Sequence, residues 1–124
     1  MRYMMFIKHT EDYDQSTVPA SLYEAMGRLI EDATRSGNFV DGGGLQRTSA
    51  GARVRLQKGQ ITVTDGPFAE TKEVVGGYAI MEAKSREEAL GFARRFMELH
   101  QTHWPAFEGE CEVRPFEAEA QPAS

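Results

Sequence analysis

Few side chains in this sequence have the type and setting to do chemistry, and the best placed is Asp65. It stands in Val63-Thr64-Asp65-Gly66-Pro67-Phe68, followed by Ala69-Glu70-Thr71-Lys72-Glu73 and then Gly76-Gly77-Tyr78. Asp, Gly and Pro specify a rigid turn, because Asp can cap its own backbone, Gly accepts unusual dihedrals and Pro presets one. A carboxylate held by such a turn at a cleft edge can act as a base or orient a ligand. Gly66, Phe68 and Tyr78 are the expected ligand contacts beside it. The plain alternative is that the motif is only a turn, with Phe68, Tyr78 and Trp104 serving as core or subunit contacts.

His9 is the second candidate. It closes an apolar run, Tyr3 to Ile7, and would form a base–orienter pair if the fold brought it to Asp65. Otherwise it is a hydrogen-bonded residue at a strand end. His100 and His103, spaced i, i+3 near Glu98, can share a zinc ion only with a third ligand, and His9 with Asp12 and Asp14 fits no metal spacing. No metal site is expected. No cofactor motif is present, since Gly42-Gly43-Gly44 lacks the Gly-Lys-Ser/Thr ending of a phosphate loop. Cys111 lies between Glu110 and Glu112, whose charges disfavour a thiolate, and is expected to be an inert strand thiol.

The elements that must position these groups follow from periodicity. Tyr3–Ile7 reads as a strand buried on both faces. A polar loop over 10–17 precedes a helix over Pro19–Ser36, with Pro19 in its first turn or Ser21 and Glu24 as a capping box. Leu22, Met26, Leu29, Ile30 and Ala33 form its apolar stripe, and Gly37 stops it. Phe39–Leu45, with three glycines, reads as a strand that bends or bulges. Residues 53–56 and 61–64 alternate about Lys58-Gly59 as a hairpin with one wet and one dry face. Gly77–Met81 is a strand. Ser85 and Glu88 cap a second helix, whose stripe is Ala89, Phe92, Ala93, Phe96 and Leu99 or His100. Trp104-Pro105 ends it, and residues 112–116 form a last strand.

Strand–helix–strand, hairpin, strand–helix–strand points to an α+β, ferredoxin-like antiparallel sheet with two helices on one face. Residues 1–117 form a single domain on this reading, and 118–124 a flexible C-terminal tail. The sheet's bare face needs a cover, and a second copy supplies the most economical one, so a homodimer is expected.

Composition narrows the function. The 124 residues carry a net charge of −5, with no block of Lys or Arg, which argues against direct nucleic-acid binding and against an anionic membrane surface. The close pairs Arg53/Arg55 and Arg94/Arg95 read as solvated faces. The longest apolar run near the N-terminus is too short for a signal segment or a membrane span. A lone cysteine forms no internal disulfide, so a cytoplasmic location is expected.

The Asp-Gly-Pro-Phe core, the Glu-Thr-Lys-Glu run, Gly-Gly-Tyr, the Gly-Gly-Gly-Leu before the hairpin and both chain ends resemble the YCII-related proteins of the DGPF type. The resemblance implies a dimeric α/β barrel, a family of mostly unassigned activity, and a link to extracytoplasmic-function sigma factors. A related branch carries a His–Asp pair with the His on the first helix. Pro19–Ser36 holds no His, Met26 stands near the missing one, and only Asp65 carries over. Three readings stay open: a small-molecule-binding or regulatory dimer, a small-metabolite enzyme using Asp65 with His9, and a sigma-factor partner.

Overall fold

The computed structural model describes residues 1–68 and 71–117. Two expectations, the opening of the Glu-Thr-Lys-Glu run at Glu70 and the tail over 118–124, lie outside the described residues. The order is β1 (Arg2–His9), α1 (Ala20–Arg35), β2 (Phe39–Gly44), β3 (Ala52–Gln57), β4 (Gln60–Asp65), β5 (Val74–Glu82), α2 (Arg86–His103) and β6 (Gly109–Pro115). Four strands form one antiparallel sheet in the order β2-β5-β1-β6, and β3 pairs only with β4. Strand β1 is central and each helix crosses over to a non-adjacent strand, which is the ferredoxin-like arrangement the sequence predicts.

Strand β1 runs further than its apolar core because its ends have partners. Arg2 bonds Glu82 and Lys8 bonds Glu112, each at 2.8 Å. It is also not buried on both faces. Tyr3 and Met5 face the helices and are buried with Ala79, Met81, Phe92 and Ala93. The pairs Met4↔Ile80 and Phe6↔Tyr78 face the other way, where no element of the described residues covers them. The apolar run reflects two different surfaces, only one of which the described residues fill.

The caps differ in an instructive way. Ser85 caps α2 and accepts from the Glu88 N–H, as expected. The Glu88 side chain does not close the box. It accepts instead from Asn38 Nδ2 at 2.8 Å, across 50 residues. In α1 the N-cap is Pro19, which makes no side-chain cap bond. Ser21 is hydrogen-bonded with His103 Nδ1 at 3.0 Å, so a tertiary contact replaces the capping box. Gly37 has φ +83°, the left-handed conformation that ends a helix cheaply.

The glycine-rich β2 bulges between Phe39 and Asp41. The hairpin alternates as read, with Val54↔Val63 and Leu56↔Ile61 opposite one another, but its dry face lies against nothing among the described residues. These four residues are 68% to 72% exposed. Among the described residues no helix is long and apolar enough to cross a membrane.

Asn38 ties three elements at one point. Its amide donates to the Glu82 carbonyl at 2.9 Å and to Glu88 Oε1 at 2.8 Å, and its side-chain oxygen accepts from Ser36 at 2.6 Å. Asn38→Ala leaves these partners unmatched in a half-buried place. It should lower stability by about 1–3 kcal/mol, read as a drop in the urea midpoint with an unchanged slope.

Candidate functional site

One cavity of about 460 Å³ opens between the β2–β5 end of the sheet and the helices. Its size falls in the usual range for small-molecule sites, roughly 300–1,000 Å³. Its floor is bare backbone, because Gly42, Gly44, Gly76 and Gly77 face it where other strands would carry side chains. Met26 and Ile30 of α1, Phe92 and Phe96 of α2, and Trp104 form apolar walls. Those residues are there because the apolar stripes of both helices point at the sheet. The polar groups gather at one end: His9 from the end of β1, Glu11 and Tyr13 from the loop after it, and Arg47 after β2.

His9 is held in a defined state. Its Nδ1 lies 2.7 Å from the Thr10 carbonyl. A carbonyl only accepts, so Nδ1 carries a proton and Nε2 is the ring nitrogen left for a further partner. Tyr13 and Phe107 pack edge-on against the ring at 5.6 and 6.0 Å between centroids. A Cβ on Gly76 would lie 2.0 Å from Nε2, so glycine is what lets the imidazole stand against the floor.

Glu11 is a carboxylate with both oxygens engaged. The Thr48 hydroxyl donates to one at 2.5 Å and the Thr48 N–H to the other at 2.7 Å. Burial works against the charge, but these bonds, with Arg47 and His9 nearby, hold the carboxyl below its ordinary value. Arg47 forks onto the backbone, donating from Nη1 to the Tyr13 carbonyl at 3.1 Å and from Nη2 to the Glu11 carbonyl. Its guanidinium also lies 5.4 Å from the Tyr13 ring centre. Burial pushes the Tyr13 phenol up, against the pull of Arg47.

The structure divides the residues singled out from sequence. His9 lines the cavity, as does Met26, which stands near the position of the related branch's helix histidine, while Tyr78 borders it from β5 with its side chain on the opposite face of the sheet beside Phe6. Asp65 and Gly66 do not line it, and no described hydrogen bond joins Asp65 to His9. Asp65 ends β4 opposite Ala52. Phe68 lies in an adjoining, more open groove with Pro67, Thr71 and Lys72, beneath the Arg53 guanidinium 3.9 Å from its ring centre. Glu11 and Arg47 line both spaces. Sequence reasoning missed Glu11, Arg47 and Thr48. The acidic loop looked merely solvated, and only folding brings Thr48 to a carboxylate 37 residues earlier.

The other thiol and imidazoles take plain roles. Burial pushes the Cys111 thiol up to about 11. The flanking glutamates are not the cause, since they point to the opposite face of β6, where Lys8 meets them. His103 bonds Ser21, while His100 is buried between Phe96 and Phe107, with Nδ1 3.0 Å from the Phe96 carbonyl. His100 therefore does not serve as a cation at the helix end. Burial lowers its pKa from the ordinary 6.5, with His9 adding to the effect. A lowered histidine value means the unfolded chain binds the extra proton first, so stability is full above about pH 6.5 and falls as pH drops below it. Melting temperature should decline from pH 7.5 to 5.5, and His100→Leu should flatten that decline.

Residues 1–103 match the family model of the YCII-related domain. An uncharacterized protein of Rhizobium meliloti (strain 1021) is 34% identical over 109 residues, covering 82% of this chain and 84% of that protein. Among solved structures, the chain is similar to the 5-chloro-2-hydroxyhydroquinone dehydrochlorinase of Burkholderia phenoliruptrix AC1100 in complex with 2,5-dihydroxybenzoquinone. That likeness is 18% in sequence, covers 94% of each chain and has a TM-score of 0.48. With its first 103 residues matched by the family model, and a relative 34% identical across most of both chains, the chain belongs to the YCII-related family.

Proposed function

We propose that this protein binds a small, flat, mostly apolar organic molecule in the cavity, with the ligand's polar end against His9 and Glu11. The observation that carries this reading is the cavity's polarity: apolar walls, a side-chain-free floor and polar groups converging at one end. For catalysis the same geometry favours His9 with Glu11 over His9 with Asp65, because Glu11 shares the cavity with His9. The Nε2 lone pair is the proton acceptor, and the Glu11 carboxylate shares the cavity with the imidazolium that results.

Trp104 is the chain's single tryptophan and part of the cavity wall, so its fluorescence reports on the site directly. Titration with a panel of monocyclic phenols and aromatic amines should give a saturable change with at least one of them. Gly44→Val fills the floor. Nothing lies within 4 Å of a Cβ there, so folding is spared while affinity falls at least tenfold, about 1.4 kcal/mol. No saturable response in the wild type, or equal affinity in the variant, would reject this site.

A homodimer is the second part of the proposal. It is supported by the uncovered sheet face around Met4, Phe6, Tyr78 and Ile80, and by the hairpin's four exposed aliphatic residues. Patches of this kind mark interfaces, and a two-stranded hairpin is marginal without packing. Sedimentation velocity should give a dimer for the wild type and monomer for Leu56→Lys/Ile61→Lys with unchanged far-UV circular dichroism. A monomeric wild type at micromolar concentration would reject it.

A further inference from the structure

We propose that the Asp-Gly-Pro-Phe turn acts on the cavity from outside it, as a clamp that positions the Glu11 carboxylate through Thr48. The turn is pressed onto the short 3-10 turn Thr48–Ala50 that follows Arg47. A Cβ on Gly66 would lie 1.7 Å from the Thr48 carbonyl oxygen, so no other residue permits that approach without a backbone shift. The Gly66 N–H donates to the Gly51 carbonyl at 2.9 Å. The Phe68 N–H donates to the Thr48 hydroxyl at 3.3 Å.

That last bond sets a direction. A hydroxyl has one proton and two acceptor sites. With Phe68 donating to it, the Thr48 hydroxyl turns its own proton to Glu11, and the bonds reinforce one another. The Thr48 N–H takes the second carboxylate oxygen. A charged-acceptor bond of this kind is among the stronger ones. Two of about four acceptor sites on the carboxylate remain, and Glu11 is among the residues that line the cavity. Gly66, Phe68 and Thr48 are thus positioning residues, and Asp65 contributes by ending the strand that leads into the clamp. The consequence for a ligand rests on the cavity reading above.

The test uses the full chain with ¹³C-labelled glutamate, following the Glu11 carboxyl by NMR, its signal assigned by Glu11→Gln. The wild-type carboxyl should titrate below the ordinary 4.5. Thr48→Val should raise the midpoint toward the ordinary value, and Thr48→Ser should restore it. Gly66→Ala should shift it in the same direction, although that residue touches no atom of Glu11. If Gly66→Ala does not fold, Phe68→Pro, which removes the N–H given to the Thr48 hydroxyl, takes its place. A midpoint unmoved by the turn variant or by Thr48→Val, or not recovered by Thr48→Ser, overturns the clamp. The titration needs no ligand, so its failure is separate from a silent Trp104, which would instead reject the cavity as a binding site.

Discussion

Strand β1 is bonded on both edges, and its register decides what every other part of the molecule can do. Met5 stands opposite Ala79 on one side and Val113 on the other. A slip of one residue would turn Tyr3 and Met5 away from the helices and present Met4 and Phe6 instead. The same register ends β1 at His9. It sets the imidazole against the bulged, glycine-bearing part of β5, where side-chain volume disappears from the sheet. Core and cavity are therefore one construction: the sheet is filled where Met5, Ala79 and Met81 stand, and empty where Gly44, Gly76 and Gly77 stand.

The polar end of the cavity is built on a different principle. Its groups come from the end of β1 and from loops, and each is restrained by hydrogen bonds rather than by burial alone. Thr10 holds His9, Thr48 holds Glu11, and Arg47 holds the carbonyls of the loop that carries Glu11 and Tyr13. Such fixing lowers the reorganisation a polar site needs when a ligand arrives. It also gives the Asp-Gly-Pro-Phe turn a physical reason that does not require Asp65 to touch a ligand. The turn fits only against a particular backbone, and that backbone carries Thr48.

A surplus of apolar surface accompanies this economy. The hairpin is patterned for burial, yet its aliphatic face lies open. The sheet face opposite the helices is ringed by ion pairs such as Lys8–Glu112 and Arg2–Glu82. These partly exposed pairs contribute little to stability. They do neutralise the rim of an apolar centre, which is how a surface that meets another protein is usually arranged.

Local chemistry in the sequence determined the elements. Apolar spacing marked both helices, Ser85 and Gly37 marked two of their ends and alternation marked the hairpin, whereas β2 bulges before its three glycines rather than at them. The order of the elements was enough to imply the sheet, because a helical crossover returns the chain to a strand parallel to the one it left, with room between them for an antiparallel strand. Short-range signals of that kind depend on neighbours within a few residues, so they survive in the sequence. Only the tertiary structure decided the partners. Glu11 reads as one acid in an acidic loop until Thr48 reaches it. Glu88 reads as half of a capping box until Asn38 claims it. Contacts across 37 to 50 residues depend on how elements pack, and no local pattern records that choice.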